Sequence, residues 1–426
     1  MKKLFCFGIR IGLFLFILLV FFACETESTT EPENLSNNWL PITENVNGEL
    51  TEIQGIPVLK LWGTHYEQGY AHGYLKAPDI LYIINECIRT KFKGITESVW
   101  DNAFMASLQN LNIEDRFVSE FRGMLDGMNA RAENEVVIPV LERKLKLEDI
   151  LIINCFHEVM SFNCSAFAAW GNMTEDAEQI IAKNNDWFIT SFSLHERLML
   201  CVRLQDSETT VMNTISITVP GLISMGAGIN SYGITALFLD ANGLSPTQTS
   251  GITPRGLSEW EALEKTHRET AITDFENTLK SHHLFVASSG MVGFPKESNQ
   301  FEACVFEYDG NYSADEGVTV RHPESSESYI ICTNHFRERR SPVACWRYES
   351  IEQELDGINE SNGAEYLTVE KAWDILSDVP MEQSLLYYSI VYEPEKGLLH
   401  LAFSKNQNHA PDCEKVTFVI DDLLNN

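Results

Sequence analysis

Two apolar runs joined by a short polar turn constrain this 426-residue chain more than any other stretch. The first, Cys164-Ser165-Ala166-Phe167-Ala168-Ala169-Trp170, ends at Gly171-Asn172-Met173-Thr174-Glu175-Asp176. The second, Ile180-Ile181-Ala182, closes on Lys183-Asn184-Asn185-Asp186-Trp187. Runs of this length bounded by turn residues read as an antiparallel hairpin. The returning strand is expected to bring Lys183 and Asp186 beside Cys164, where a cation lowers a thiol's pKa toward the reactive thiolate. Cys164 is therefore the candidate nucleophile, with Lys183 and Asp186 as its electrostatic partners.

The pattern changes character at this hairpin. Upstream, a strand over 56–63 leads into a helix in which Gly69 and Gly73 stand at helical spacing, a sign of close packing on a neighbour. Apolar residues then recur at three and four spacing over 80–93, 99–111, 113–131 and 140–154, predicting helices. Downstream, β-rich runs cover 198–204 and 211–219, and two more flank the turn from Gly228 through Asn230 to Gly233. Helices are expected over 257–265, 271–281, 341–355 and 369–376. Strands are expected over 283–287, 303–308, 328–336, 385–392 and 397–403. Strands and helices grouped behind one thiol fit an α+β layered architecture.

The beginning of the chain has the form of an export signal. Met1-Lys2-Lys3 precedes an apolar run ending near Phe22, and Ala23-Cys24 reads as a lipoprotein cleavage and lipidation site. A membrane-spanning anchor is the alternative for a run of this length. The acidic, Ser/Thr-rich segment after Cys24 favours the signal and a tether. The formal charge of −30 argues against nucleic acid and against electrostatic docking on anionic lipid. The eight cysteines that follow Cys24 show no Cys-x-x-Cys pair, so neither a zinc ribbon nor a redox motif is expected. His65 and His72 lie seven residues apart with no third ligand in view, and no metal or organic cofactor is expected.

Cys-Ser-Ala-Phe-Ala-Ala-Trp-Gly, a turn, then Ala-Lys-Asn-Asn-Asp-Trp resembles the penicillin acyltransferase branch of the N-terminal-nucleophile hydrolases, relatives of choloylglycine hydrolases and penicillin V acylase. The resemblance extends over roughly residues 56–420. It implies a four-layer αββα sandwich preceded by a mainly helical pro-segment, with a signal at 1–23, a flexible tether at 24–50, a pro-segment at 51–163 and a catalytic region at 164–426. It further implies that the chain cuts itself between Asn163 and Cys164, and that the freed amine of Cys164 serves as base for its own thiol. In that scheme Asp186 holds the amine and Lys183 stands where the family usually has Arg. Asn334, in Thr333-Asn334-His335, matches an active-site Asn, and Arg347 matches a network Arg. Asn242 would receive the developing oxyanion, although counting along the strand could select Asp240 instead. Asn163 and Ser165 replace a Gly and a Thr that the family often carries beside its nucleophile.

The implied activity is an exported, lipid-anchored amidohydrolase or acyltransferase of the cell envelope. It would act on a small-molecule N-acyl or lipid-like substrate through a thioester, with membrane contact only through its N-terminal lipid. Rival readings are a phospholipase B-like lipid acyl hydrolase, a papain-like pair using Cys164 or Cys155 with His335 and Asn334, and a non-catalytic lipid-anchored binding protein.

Overall fold

The computed structural model describes residues 37–425 except 93, 103–105, 156–157, 159–162, 189–193, 207–209, 245–249, 296–301, 314, 325–327, 362 and 381–383. The expected signal and lipidation site at Cys24 lie outside the described residues. In chain order the strands are β1 (Gly48–Ile53), β2 (Ile56–Gly63), β3 (Val137–Ile138), β4 (Arg143–Lys144), β5 (Asn163–Ala169), β6 (Ile180–Phe188), β7 (Met199–Gln205), β8 (Thr214–Thr218) and β9 (Ala227–Asn230). They continue as β10 (Thr235–Leu244), β11 (Val286–Gly293), β12 (Ala303–Tyr308), β13 (Val318–Arg321), β14 (Tyr329–Thr333), β15 (Ser384–Glu393), β16 (Leu398–Phe403) and β17 (Val416–Val419). The principal helices are α1 (His65–Lys91), α2 (Asp115–Arg131), α3 (Leu147–Asn154), α4 (Arg255–Lys265), α5 (Ala271–Lys280), α6 (Trp346–Glu360) and α7 (Val369–Ser377).

Two sheets carry the fold. One has nine strands in the order β1-β2-β7-β8-β9-β10-β11-β12-β13, and the other has six in the order β14-β5-β6-β15-β16-β17. Because side chains alternate along a strand, β5 sends Cys164, Ala166 and Ala168 into the core between the sheets. Phe167 and Ala169 go the other way, into a second core with Ile351 and Leu355 of α6 and Trp373 and Leu376 of α7. On the far side, α4 packs on β9, β10 and β11, and α5 on β13. The result is helix, sheet, sheet, helix, the four-layer α+β arrangement anticipated above.

The segment before Cys164 is less separate than its helical pattern suggests. β1 and β2 belong to the nine-stranded sheet, and β2 lies parallel to β7, with Val58 opposite Leu200 and Gly63 opposite Gln205. Thr64 starts α1 through a capping box with Glu67. Ala71 and Tyr74 of that helix then pack on Leu59, Leu61, Met199 and Cys201. Gly69 and Gly73 meet the backbone of α2, and the contact is reciprocal. A Cβ on Gly69 would stand 1.8 Å from the Glu120 carbonyl oxygen, and one on Gly123 2.1 Å from that of Tyr66. The α2 glycines, Gly123 and Gly127, have the same four-residue spacing.

Several expected elements shift. The helix expected over 140–154 begins only at Leu147, because Pro139 opens a short 3-10 turn and Glu142 adopts φ 52°, which together shape the β3–β4 hairpin. Of 99–111, only Val99 and Trp100, at the end of Glu97–Trp100, and Ala106–Leu108 are α-helical among the described residues. The strand expected over 283–287 runs from Val286 to Gly293, through a Ser-Ser-Gly core of low β propensity, because both neighbours, β10 and β12, pair with it. Among the described residues no helix is long and apolar enough to cross a membrane.

Candidate active site

The β5–β6 hairpin forms in the expected antiparallel sense. Its register sets Asn163 opposite Asp186, Cys164 opposite Asn185 and Ala166 opposite Lys183. Lys183 and Asp186 are three residues apart on one strand, so they face opposite sides of the sheet. The two therefore stand beside Cys164 on different faces of the hairpin. Lys183 shares the sulfur's face, whereas Asp186 is on the face toward α6.

On the α6 face, Cys164 is gripped through its backbone. Its N–H donates to Asn334 Oδ1 at 2.8 Å, and its carbonyl accepts from Arg347 Nη1 at 2.8 Å. Arg347 Nη2 donates to the same Asn334 Oδ1 at 2.7 Å, and Nη1 lies 3.4 Å from Asp186 Oδ2. Ser384 Oγ donates to the other Asp186 oxygen at 3.0 Å. Asn334 Nδ2 donates to the Asp240 carbonyl at 2.6 Å, tying this cluster to the second sheet. β14 places Asn334, since Thr333 pairs with Ser165 in β5; the first turn of α6 places Arg347. Asp186, Asn334 and Arg347 are all buried. Of the candidates, Cys164, Asp186, Asn334 and Arg347 thus come together in one hydrogen-bonded cluster.

On the opposite face the sulfur looks into a cleft between the sheets, lined by Asn185, Gly226, Asp240, Glu259 and Ser288, with room for little more than one water molecule. Lys183 Nζ donates to the carbonyls of Gly226 and, at 2.8 Å, of Phe238, and lies 3.3 Å from the Tyr388 hydroxyl. Burial pushes the Cys164 thiol up to about 11, with the Lys183 charge pulling against it. Desolvation outweighs the cation in the uncut chain, so the expected thiolate is not the resting form there. Asn185 Nδ2 lies 3.7 Å from Sγ.

The cleft is acidic. Asp240 Oδ1 pairs with Arg255 Nη2 at 2.6 Å. Glu259 accepts from Ser288 Oγ at 2.5 Å and from Tyr308 at 2.6 Å, and burial raises its pKa. Glu158, six residues before Cys164, accepts from the Arg255 backbone N–H at the start of α4. Burial pushes its carboxyl up to about 7; Arg255 opposes the shift, while Glu259 and Asp240 add to it.

Of the two β10 candidates, Asp240 lines the cleft. Asn242 lies in the same strand beyond a register irregularity between Asp240 and Leu244, and its side chain is outside the described residues. Asn163 is half-buried at the start of β5. His335, beside Asn334 in sequence, does not line the cleft; burial and the Arg347 and Arg337 charges lower its pKa. Burial and Glu158 raise the Cys155 thiol far above its ordinary value. His65 pairs with Glu120 at 3.4 Å, and His72 Nε2 accepts from the Gly221 N–H at 3.0 Å. Among the described residues, the cysteines from Cys87 to Cys413 form no disulfide.

Asn185, Arg255, Glu259 and Ser384 were not singled out in the sequence. Only Asn185 carried a usable signal, since a hairpin that pairs Asn163 with Asp186 must pair Cys164 with Asn185. The others arrive from distant elements.

No protein-family model matches the chain, and no curated protein matches it. Among solved structures it is similar to an N-acylethanolamine-hydrolyzing acid amidase ortholog of Caenorhabditis elegans, at 12% identity over 60% of this chain and 99% of that one, with a TM-score of 0.40. It is also similar to a mutant form of the conjugated bile acid hydrolase of Clostridium perfringens, at 11% identity over 60% and 96% of the two chains (TM-score 0.37). Penicillin V acylase of Agrobacterium tumefaciens aligns at 14% identity over 62% and 88% (TM-score 0.42). Likenesses of this size carry no functional weight beside the geometry of the site.

Proposed function

We propose that this chain is a self-processing N-terminal-cysteine hydrolase or acyltransferase that acts on a linear amide through a thioester. The observation that carries the reading is the grip on Cys164. Its own backbone nitrogen and carbonyl are held by Asn334 and Arg347 beside Asp186, while its sulfur faces a cleft that no histidine lines among the described residues. Such a site has a use for the nitrogen itself.

In the first step Sγ attacks the Asn163 carbonyl, the C–N bond to Cys164 breaks, and the acyl group passes from nitrogen to sulfur. Water then hydrolyses the thioester, leaving a carboxylate on Asn163 and a free α-amine on Cys164. An α-amine has an ordinary pKa near 7.7–8.0, suited to accept the thiol proton. The thiolate attacks the substrate's amide carbon and the leaving amine takes up a proton. Water or a second amine releases the acyl group. Asn334 Oδ1 would keep the amine in place, and Asp186, through Arg347, would hold Asn334 in that orientation. Lys183, on the sulfur's face, would favour the thiolate once the cleft opens to solvent.

The lipid-anchor reading accompanies this one: export through the apolar signal and attachment at Cys24 would place the enzyme in the cell envelope. A small N-acyl compound is the substrate class we infer here. N-terminal sequencing of the purified protein tests the reading. A fragment beginning at Cys164 is expected, and Cys164→Ala should yield one uncut chain with no amide turnover. Turnover retained by Cys164→Ala rejects the sulfur as nucleophile.

A further inference from the structure

The proposed reaction places negative charge on the substrate's carbonyl oxygen when sulfur adds to its carbon, and that charge needs a hydrogen-bond donor facing the cleft. Of the two β10 residues considered for that role, Asn242 has a side chain outside the described residues and Asp240 offers no donor. Asp240, the β10 side chain that lines the cleft beyond Phe238 and Leu239, is a carboxylate paired with Arg255, and its carbonyl already accepts from Asn334. Ser288 has a single hydroxyl proton, within reach of both the Leu239 carbonyl and Glu259. The Met225 N–H is committed to the Ile217 carbonyl, and that of Gly226 to Ser224.

We propose that Asn185 is the side-chain oxyanion donor, an inference that rests on the functional reading above. Of the nine described residues lining the cleft, Asn185 has the only side chain bearing N–H groups. It is almost fully buried and stands directly across the ladder from Cys164. Its Nδ2 lies 3.7 Å from Sγ and 3.5 Å from the Met225 carbonyl. That carbonyl can only accept, so it fixes which end of the amide turns toward the sulfur. One N–H is directed at Met225 and the second is left on the sulfur's side. A donor 3.7 Å from sulfur is within reach of an oxygen on a carbon bonded to that sulfur.

The arrangement is pre-organised from behind. Tyr388 donates to the same Met225 carbonyl at 2.7 Å, and Lys183, two residues along β6 on the same face, holds the Gly226 and Phe238 carbonyls. These contacts set the floor against which the Asn185 amide rests, so the donor need not reorganise as charge develops. The carboxylates of Asp240 and Glu259 stay engaged with Arg255, Tyr308 and Ser288.

The test uses full-length Asn185→Leu, near in shape but without a donor, and Asn185→Ser, which keeps a shorter one. Turnover of an N-acyl-7-amino-4-methylcoumarin is measured per N-terminal Cys164 thiol titrated with iodoacetamide. Alkylation by iodoacetamide forms no oxyanion, so its rate at Cys164 reports an intact thiol independently of the donor. The leucine variant is expected to lose about 10²–10³-fold in kcat, with KM and the alkylation rate near wild type, and the serine variant to fall between. A leucine variant with wild-type kcat overturns the assignment and leaves the functional reading standing. Failure of both variants to be cut before Cys164 makes Asn185 a maturation residue and also overturns it. A wild-type chain that is uncut and inert overturns the functional reading and this assignment together.

Discussion

The two faces of the β5–β6 hairpin are built from the same pair of strands, yet they do different work. On the α6 face every contact to Cys164 is made to its backbone, and the charges balance locally, with Arg347 set between Asp186 and the Cys164 carbonyl. On the inter-sheet face the contacts surround the sulfur, and acid is in excess: Asp240, Glu259 and Glu158 stand near one guanidinium, that of Arg255. The first face is a clamp that fixes where the nitrogen is. The second is a cleft whose protonation states are unsettled, and a strand's alternation keeps the two apart at no cost in chain length.

The sharpest way to break this contrast is to remove the clamp. Arg347→Met leaves Asp186 buried without its cation, and loss of one partner of a buried pair costs about 3–5 kcal/mol. Chemical denaturation in a Cys164→Ala background should show that loss, and cutting before Cys164 should stop in the parent background. An Arg347→Met chain that is stable and cut normally would remove the clamp from the account.

On the cleft face the expected effect concerns ionisation. Lys183→Met deletes the charge that pulls the Cys164 thiol down, so the pH midpoint for alkylation of Cys164 should move upward. It also removes a buried donor from the Phe238 carbonyl and from that of Gly226, which keeps the Phe238 N–H as partner. An unmoved midpoint would show Lys183 to be only a structural cap.

A smaller effect is expected from Glu158. Its carboxyl is raised in the folded chain, so the folded state binds the proton more tightly than the unfolded one. The stability linked to this group is fully present below the ordinary carboxylate pKa and is lost as pH rises through about 7. The uncut Cys164→Ala chain should therefore lose stability between about pH 5 and 8, by on the order of 1–3 kcal/mol, and Glu158→Gln should flatten that slope. A slope of the opposite sign would mean that Glu158 is held ionised by Arg255.

Much of this site could be read in the chain before its fold was known, because a hairpin is a local object. Cys164, the turn and Asp186 lie within 23 residues, and pairing follows from the turn. The same parity rule separates Lys183 from Asp186 and pairs Asn185 with Cys164, and it is available from residue numbers alone once the register is known. Asn334 and Arg347 were reached by resemblance rather than by pattern, since a lone Asn after a strand and a lone Arg at a helix start have no periodic signature. Arg255 and Glu259 were not legible at all. They belong to an amphipathic helix whose buried charged residues look like surface ones until Asp240, Ser288 and Tyr308 arrive from three separate strands. The strand β11 was misplaced for a related reason, since its partners rather than its composition decide where it starts.

The place of β2 between β1 and β7 has an outcome for the proposed self-cleavage. A chain severed ahead of Cys164 would keep its smaller piece as strands of the larger piece's sheet, woven in rather than resting on it. Melting such a molecule would turn refolding into an encounter between two bodies, dependent on dilution, whereas the unsevered precursor refolds alone. Maturation would then be a ratchet, and a lipid borne by the smaller piece would moor the larger one with no covalent bond between them.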